Sequence, residues 1–132
     1  MHTHRHEDEY SVVLEGRVGA QIGAHVIEAL PGAVLVKPRG VPHAFWNPAD
    51  TPARLLEIIS PAGFERYFAQ LAQILATPAA PDRQALAGQY GLDLDLSSIP
   101  RLAAAAMMLG TCKSKAVGGS GVTVGFCQRR PC

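Results

Sequence analysis

The first part of the chain alternates between apolar and polar positions in short runs, and each run ends at a glycine or proline turn. Runs of this kind, rich in β-branched and aromatic residues, predict strands, because successive side chains of a strand point to opposite faces of a sheet. Pairs such as Pro31-Gly32 mark the turns between them. Many short strands with tight turns predict a mainly β protein, built as a sandwich or a barrel. The predicted strands cover residues 10–14, 17–22, 25–30, 33–37, 43–46 and 53–59.

The spacing of apolar residues then changes to three and four. This spacing predicts an amphipathic helix over residues 62–76, with Gln70 and Gln73 exposed. A second helix is predicted over residues 82–89, and residues 92–99 are compatible with an extended stretch or a short turn of helix. The side chains that the first helix is expected to bury, against the sheet or a second subunit, are Phe64, Tyr67, Phe68, Leu71 and Leu75.

Composition indicates one small globular unit. The chain has 132 residues, of which 48% are hydrophobic, and a net charge of +1. No basic run points to nucleic acid, and no apolar stretch is long enough to span a bilayer. The polar, histidine-rich start does not resemble a signal peptide. The expected location is therefore the cytoplasm.

Four residues of metal-ligand type stand out in the predicted β region. His2 and His4 are one residue apart, so on a strand both side chains point the same way. Glu9 follows shortly after them, and His43 lies on a separate predicted strand. Neutral imidazoles with one carboxylate suit a divalent transition metal. The alternative is four polar side chains that bind no metal.

At these residues the chain resembles the cupin superfamily. The first cupin motif, His-x-His followed by Glu and Gly, is matched by His2, His4, Glu9 and Gly16. The second motif, Gly, Pro-x-Gly, His and Asn, is matched by Gly32, Pro38, Gly40, His43 and Asn47. The resemblance implies a double-stranded β-helix, or jelly-roll barrel, of the kind found in small bacterial, quercetinase-like cupins.

The resemblance also implies a divalent metal at His2, His4, Glu9 and His43. Fe, Mn, Ni, Cu and Zn are all compatible with this donor set. A small molecule is the implied ligand. Three functions remain open: a metal-dependent enzyme such as a dioxygenase or isomerase, a non-catalytic ligand-binding cupin, and a truncated copy with an impaired metal site.

Strand parity suggests further residues of the site. If His43 points inward, Phe45 and Asn47 do so too and line a substrate pocket, although a core role suits Phe45 equally well. Glu57 lies in the middle of an apolar strand, where a carboxylate needs a partner or a raised pKa. Glu57 is therefore a candidate catalytic acid or base, with pairing to an arginine or exposure to solvent as the alternatives.

The chain is predicted to have three segments: a cupin barrel over residues 1–60, a helical extension over 61–100, and a partly disordered tail outside the family over 101–132. Within that tail, residues 102–109 are predicted to form a short helix. Cupin barrels usually have one or two strands before the first motif, so these strands are expected to be missing here. An unpaired edge would follow, with fraying of His2 and His4, weak metal binding and a tendency to form a homodimer. All three cysteines fall in the tail and are expected to be free thiols.

Overall fold

A computed structural model describes residues 1–76, residues 83–109 and the backbone of residues 126–127. Eight strands form two antiparallel sheets, and helices pack around the last of them. This arrangement confirms the predicted mainly β class with C-terminal helices. In chain order the elements are β1 (His2–His4), β2 (Asp8–Glu15), β3 (Val18–Ile22), β4 (His25–Ala29), β5 (Val34–Lys37), β6 (His43–Trp46), β7 (Arg54–Ser60), α1 (Glu65–Leu75), α2 (Arg83–Gln89), β8 (Leu92–Leu94), α3 (Ile99–Leu109) and β9 (Phe126–Cys127).

The larger sheet has the strand order β4-β3-β6-β1-β8, and the smaller sheet has the order β5-β2-β7. The two-residue strand β9 pairs in parallel with β6. All six strands predicted from periodicity are present, with ends that differ by a few residues at most. Their inward-facing side chains form the barrel core, made of Val13, Val18, Ala20, Ala29, Leu35 and Phe45.

The first strand is paired on both sides. β1 meets β6 at His2 and His43, and along its other edge it pairs with β8 at every residue. Beyond the strand, the backbone N–H of Arg5 donates to the carbonyl oxygen of Gly91 at 2.9 Å. The expectation of an unpaired edge at β1 is therefore wrong, because a strand from the C-terminal half of the chain occupies that position.

Residues 92–99 contain both an extended stretch and a short turn of helix, the two alternatives that their sequence allowed. Leu92–Leu94 forms β8, and Leu96–Ser98 forms one turn of 3₁₀ helix before α3 begins. The short helix predicted over residues 102–109 lies within α3. Apart from the backbone of Phe126–Cys127, the expectations for residues 110–132 fall outside the described residues.

Helix α1 packs through a narrow stripe. Tyr67 and Leu71 are buried together with Phe64, which immediately precedes the helix, and both glutamines are exposed as predicted. Phe68 and Leu75 were expected to be buried, but they are 49% and 44% exposed. They lie on the flank of the stripe, so in this chain alone they meet solvent.

The helices build a second apolar cluster next to the barrel. It joins α1, α2 and β8, and it consists of Phe64, Tyr67, Leu71, Leu86, Ala87 and Leu92. Because Leu92 pairs with His4 across the sheet, this cluster also supports the first strand. None of the helices in the described residues has the length and apolarity needed to cross a membrane.

Candidate metal centre

Three strands bring the four predicted ligands together. His2 and His4 share a face of β1, and His43 lies opposite His2 on the neighbouring strand β6. Glu9 comes from β2 in the other sheet, where Glu9, Ser11 and Val13 alternate inward, as strand parity predicts. The side chains of both sheets therefore meet inside the barrel.

The donor atoms face one carboxylate oxygen. The Nε2 atoms of His43, His4 and His2 lie 3.0, 3.1 and 3.5 Å from Oε2 of Glu9. One ligand atom from each of the four residues lies within 4.8 Å of all the others. Three imidazole nitrogens and a carboxylate oxygen that converge in this way form a group that fits a divalent transition metal.

The protonation states suit metal ligation. Burial lowers the pKa of His2 to about 4, although the Glu9 carboxylate opposes this shift, so the imidazole is neutral at pH 7. Burial of Glu9 opposes ionisation, but the hydrogen bonds from the three imidazoles and the charge of Lys37 outweigh it and lower the pKa of the carboxyl. A neutral imidazole and an ionised carboxylate are the forms that bind a metal.

In two of the histidines, the second ring nitrogen, Nδ1, has an identifiable neighbour. Nδ1 of His43 lies 2.9 Å from the carbonyl oxygen of Val41. A carbonyl only accepts, so in the tautomer that donates from Nδ1 to Val41 the Nε2 atom is left free for a metal. Nδ1 of His4 lies 3.4 Å from Oε2 of Glu7, and the ring packs edge-on against Phe64 with the centroids 4.5 Å apart.

A motif glycine links the second motif to the first strand. Gly40 has a φ of 74°, which favours glycine, and its N–H donates to the carbonyl oxygen of His4 at 2.7 Å. The same loop is held by the Asp8 carboxylate, which accepts from the backbone N–H of Arg39 at 2.9 Å. The loop that leads to His43 is thereby fixed to the strand that carries His4.

Lys37 is a polar residue of the site that the sequence did not reveal. Its side chain is fully buried, and its ammonium contacts Oε1 of Glu9, Oγ of Ser11 at 2.6 Å and Oε2 of Glu57 at 3.0 Å. The second motif specifies no residue type at the position directly before Pro38, so the motif did not single out Lys37. Parity could have indicated it, because Lys37 shares the inward face of β5 with Leu35.

The remaining predicted site residues have different surroundings. Glu57 is partly buried and pairs with Lys37, a lysine and not an arginine; burial raises the pKa of its carboxyl, and the Lys37 charge opposes this. Phe45 belongs to the barrel core, with the Lys37 ammonium 4.7 Å from its ring centroid. The amide of Asn47 donates to the carbonyl oxygen of Thr51 at 2.7 Å and accepts from the N–H of Ala49 at 2.9 Å, which closes a turn. The catalytic and pocket roles of these residues stay predictions.

A cavity of about 430 Å³ lies beside the first strand, with His2 in its lining. Polar side chains from three further elements surround it, among them Gln21, Asp93 and Arg101. Arg101 of α3 donates to Oε1 of Gln21 at 2.8 Å. Phe45 and Asn47 do not take part in this lining.

Comparison with known families agrees with this arrangement. A family model described as a cupin domain matches residues 1–59, the part of the chain that contains all four candidate ligands. Comparison with curated proteins and with solved structures found no match. Residues 1–59, which contain the convergent group of three histidines and a glutamate, are therefore a cupin domain.

Proposed function

We propose that the protein is a metal-dependent enzyme that acts on a small molecule, most closely of the dioxygenase type. The observation that carries this proposal is the convergence of three imidazole nitrogens on one oxygen of Glu9, inside a barrel. Four donors leave positions free on an ion that takes five or six ligands, and substrate or dioxygen needs such a position.

The four ligands would hold Fe, Mn, Ni, Cu or Zn as the divalent ion. When bound, such an ion supplies Lewis-acid polarisation of a substrate oxygen, or activation of dioxygen if it is redox-active. The residues supply the rest: imidazole Nε2 atoms that converge on one point, an ionised carboxylate, and walls that exclude water. These walls include Phe64, whose ring covers one side of His4.

Glu57 is the residue we propose for proton transfer. Its side chain is 25% exposed, so it lies between the buried network of Lys37 and solvent. A carboxyl whose pKa is raised by burial is suited to hold a proton and return it. The cavity next to His2 has a volume in the range of small-molecule sites, and Arg101 offers it a cation for an anionic group.

A non-catalytic ligand-binding cupin is the second candidate. It is favoured by the burial of the ligands, since the four side chains are between 0 and 11% exposed and leave little surface for a large substrate. The impaired-site alternative depends on fraying of His2 and His4, whereas both residues lie in a strand that is paired on both edges.

The test has two stages. Calorimetric titration with Ni(II) or Mn(II) should show one site per chain, and His43→Ala should lose it. His25→Ala is the matched control, because His25 is an exposed histidine of β4 and should leave the titration unchanged. Absence of binding to the parent protein would reject the metal centre.

The second stage separates the two candidates. Oxygen uptake by the Fe(II)-loaded or Mn(II)-loaded protein is measured with flavonols and small enediols. Uptake that depends on substrate and disappears in His43→Ala supports a dioxygenase. Binding of these compounds with no turnover of any of them supports the non-catalytic candidate.

A further inference from the structure

The two oxygens of the Glu9 carboxylate face different partners. Oε2 lies 3.0 to 3.5 Å from the three imidazole Nε2 atoms. Oε1 accepts a hydrogen bond from the ammonium of Lys37. The carboxylate therefore has one oxygen directed to the candidate metal position and one directed into the smaller sheet.

Strand register places the partners of Lys37. Glu9 lies opposite Lys37 across β2 and β5, and Ser11 lies opposite Glu57 across β2 and β7. The inward faces of the three strands thus bring together one ammonium and three oxygen acceptors. An ammonium has three N–H donors, and each of them has a partner here.

The cost of this arrangement indicates a function. A fully buried lysine is rare unless it is paired, and the ammonium of this one lies 4.7 Å from the ring centroid of Phe45 in the barrel core. An apolar residue of similar length would fill the same space without burying a charge. A role tied to Glu9 explains why an ammonium lies at this position.

We propose that Lys37 is a positioning residue that keeps Glu9 a ligand through one oxygen only. Held at Oε1, the carboxylate cannot turn both oxygens toward the ion, so one more coordination position stays available for substrate or dioxygen. Lys37 also offsets part of the negative charge that two neighbouring carboxylates, Glu9 and Glu57, bring into the barrel. This inference rests on the proposed metal centre.

A crystal structure of the native protein loaded with Ni(II) gives the direct test. We expect one Glu9 oxygen at bonding distance, ~2 Å, with Lys37 still on the other oxygen. Two Glu9 oxygens on the ion, or Lys37 displaced from Glu9, would overturn the proposal. Nickel absent from the His2, His4 and His43 cluster would instead reject the metal centre itself, so the two failures are distinguishable.

Co(II) absorption tests the same point in solution. The double variant Lys37→Met/Glu57→Gln removes one positive and one negative charge, so its net charge equals that of the parent, and Glu57→Gln is the matched single control. Five-coordinate Co(II) absorbs visible light more strongly than six-coordinate Co(II). We expect the band of the double variant to weaken severalfold as Glu9 takes a second bond, and Glu57→Gln to keep the parent spectrum.

An unchanged spectrum in the double variant would contradict the proposal. So would an equal change in Glu57→Gln, because the effect would then belong to Glu57. The native nickel structure decides the question even if the double variant does not fold.

Discussion

His4 pairs in register with Leu92, which lies on the short strand that follows the second helix. A candidate metal ligand near the start of the chain is thereby held by a residue of the helical cluster, since Leu92 is buried against Phe64, Tyr67 and their neighbours. The cupin match ends at residue 59, so the strand that supports His4 comes from outside the matched region.

Breaking this strand pair should weaken metal binding. Asp93→Pro removes a backbone N–H in the middle of β8 and disturbs its pairing with Thr3. Ordering a released residue costs about 1–2 kcal/mol and each 1.4 kcal/mol is tenfold in affinity, so freeing three residues of β1 should weaken Ni(II) binding at least about 100-fold. Asp93→Asn is the control, because it removes only the exposed ion pair with Arg5. Equal calorimetric affinities for the two variants would show that β8 does not order β1.

The turn before β8 should tolerate no side chain. Gly91 has a φ of 66°, and an added Cβ would meet the His6 ring at 2.5 Å. We expect Gly91→Ala to lower the free energy of unfolding by at least about 1–2 kcal/mol, measured by urea denaturation. Gly88→Ala, three residues earlier in α2, meets nothing within 4 Å and should be neutral or stabilising by up to about 1 kcal/mol. A loss of equal size at both positions would contradict the steric explanation.

The carboxylate of Glu7 should orient His4. Its Oε2 and the Nδ1 of His4 are 3.4 Å apart, both are buried, and neither has a hydrogen bond. Partners of this kind fix the ring of a metal ligand, and their loss typically costs about 10-fold or more in metal affinity. We expect Glu7→Ala to weaken Mn(II) binding by about that factor. Glu15→Ala, at the exposed far end of the next strand, should leave the affinity unchanged.

Metal should stabilise the folded protein. An ion that binds only the native state, at a free concentration one hundred times its Kd, adds about 2.7 kcal/mol to the free energy of unfolding. Thermal unfolding with Ni(II) should therefore shift upward by several degrees and return to its starting point with a chelator. A shift of the same size in His43→Ala would mean that the ion acts elsewhere.

The outer face of the smaller sheet supports the expected homodimer. Tyr10 pairs with Val36 and Ile58, and Val12 pairs with Val34 and Leu56, so two apolar rows cross the three strands. The side chains of Val34, Val36, Leu56 and Ile58 are about half exposed, which is typical of an interaction surface. We expect Leu56→Lys to raise the dimer dissociation constant at least about tenfold in sedimentation velocity. Val26→Lys, an equally exposed site on the larger sheet, is the control. A parent protein that stays monomeric at high concentration would refute the dimer.

The strands and the four residues that converge in the barrel could be predicted from the sequence, because alternation and motif spacing are patterns that the sequence itself carries. Period-two alternation gives the strands, and the spacing of His2 and His4 gives their shared face on β1. β8 has only three residues, Leu92–Leu94, and its strand character comes from pairing with β1. The two strands are about 90 residues apart in the sequence, and three residues are too few for an alternating pattern that would reveal the strand.

Lys37 and the flank of α1 escaped prediction for different reasons. Lysine is almost always exposed, and only its three acceptors, brought from two other strands, make the buried position possible. For Phe68 and Leu75, helical spacing identifies an apolar side of the helix but not the width of the surface that covers it. That width depends on α2 and β8, which pack against the stripe that contains Tyr67 and Leu71.

The near-complete burial of the four ligands also bears on how an ion enters and leaves. Of the four, only His2 lines the cavity, and the other three side chains are at most 6% exposed, so exchange of a hydrated ion requires a local opening of the barrel wall. We expect exchange to be slow and limited by the rate of that opening. The ion that a molecule holds would then depend on which metal is present when the barrel wall opens, and not only on the affinity of the site.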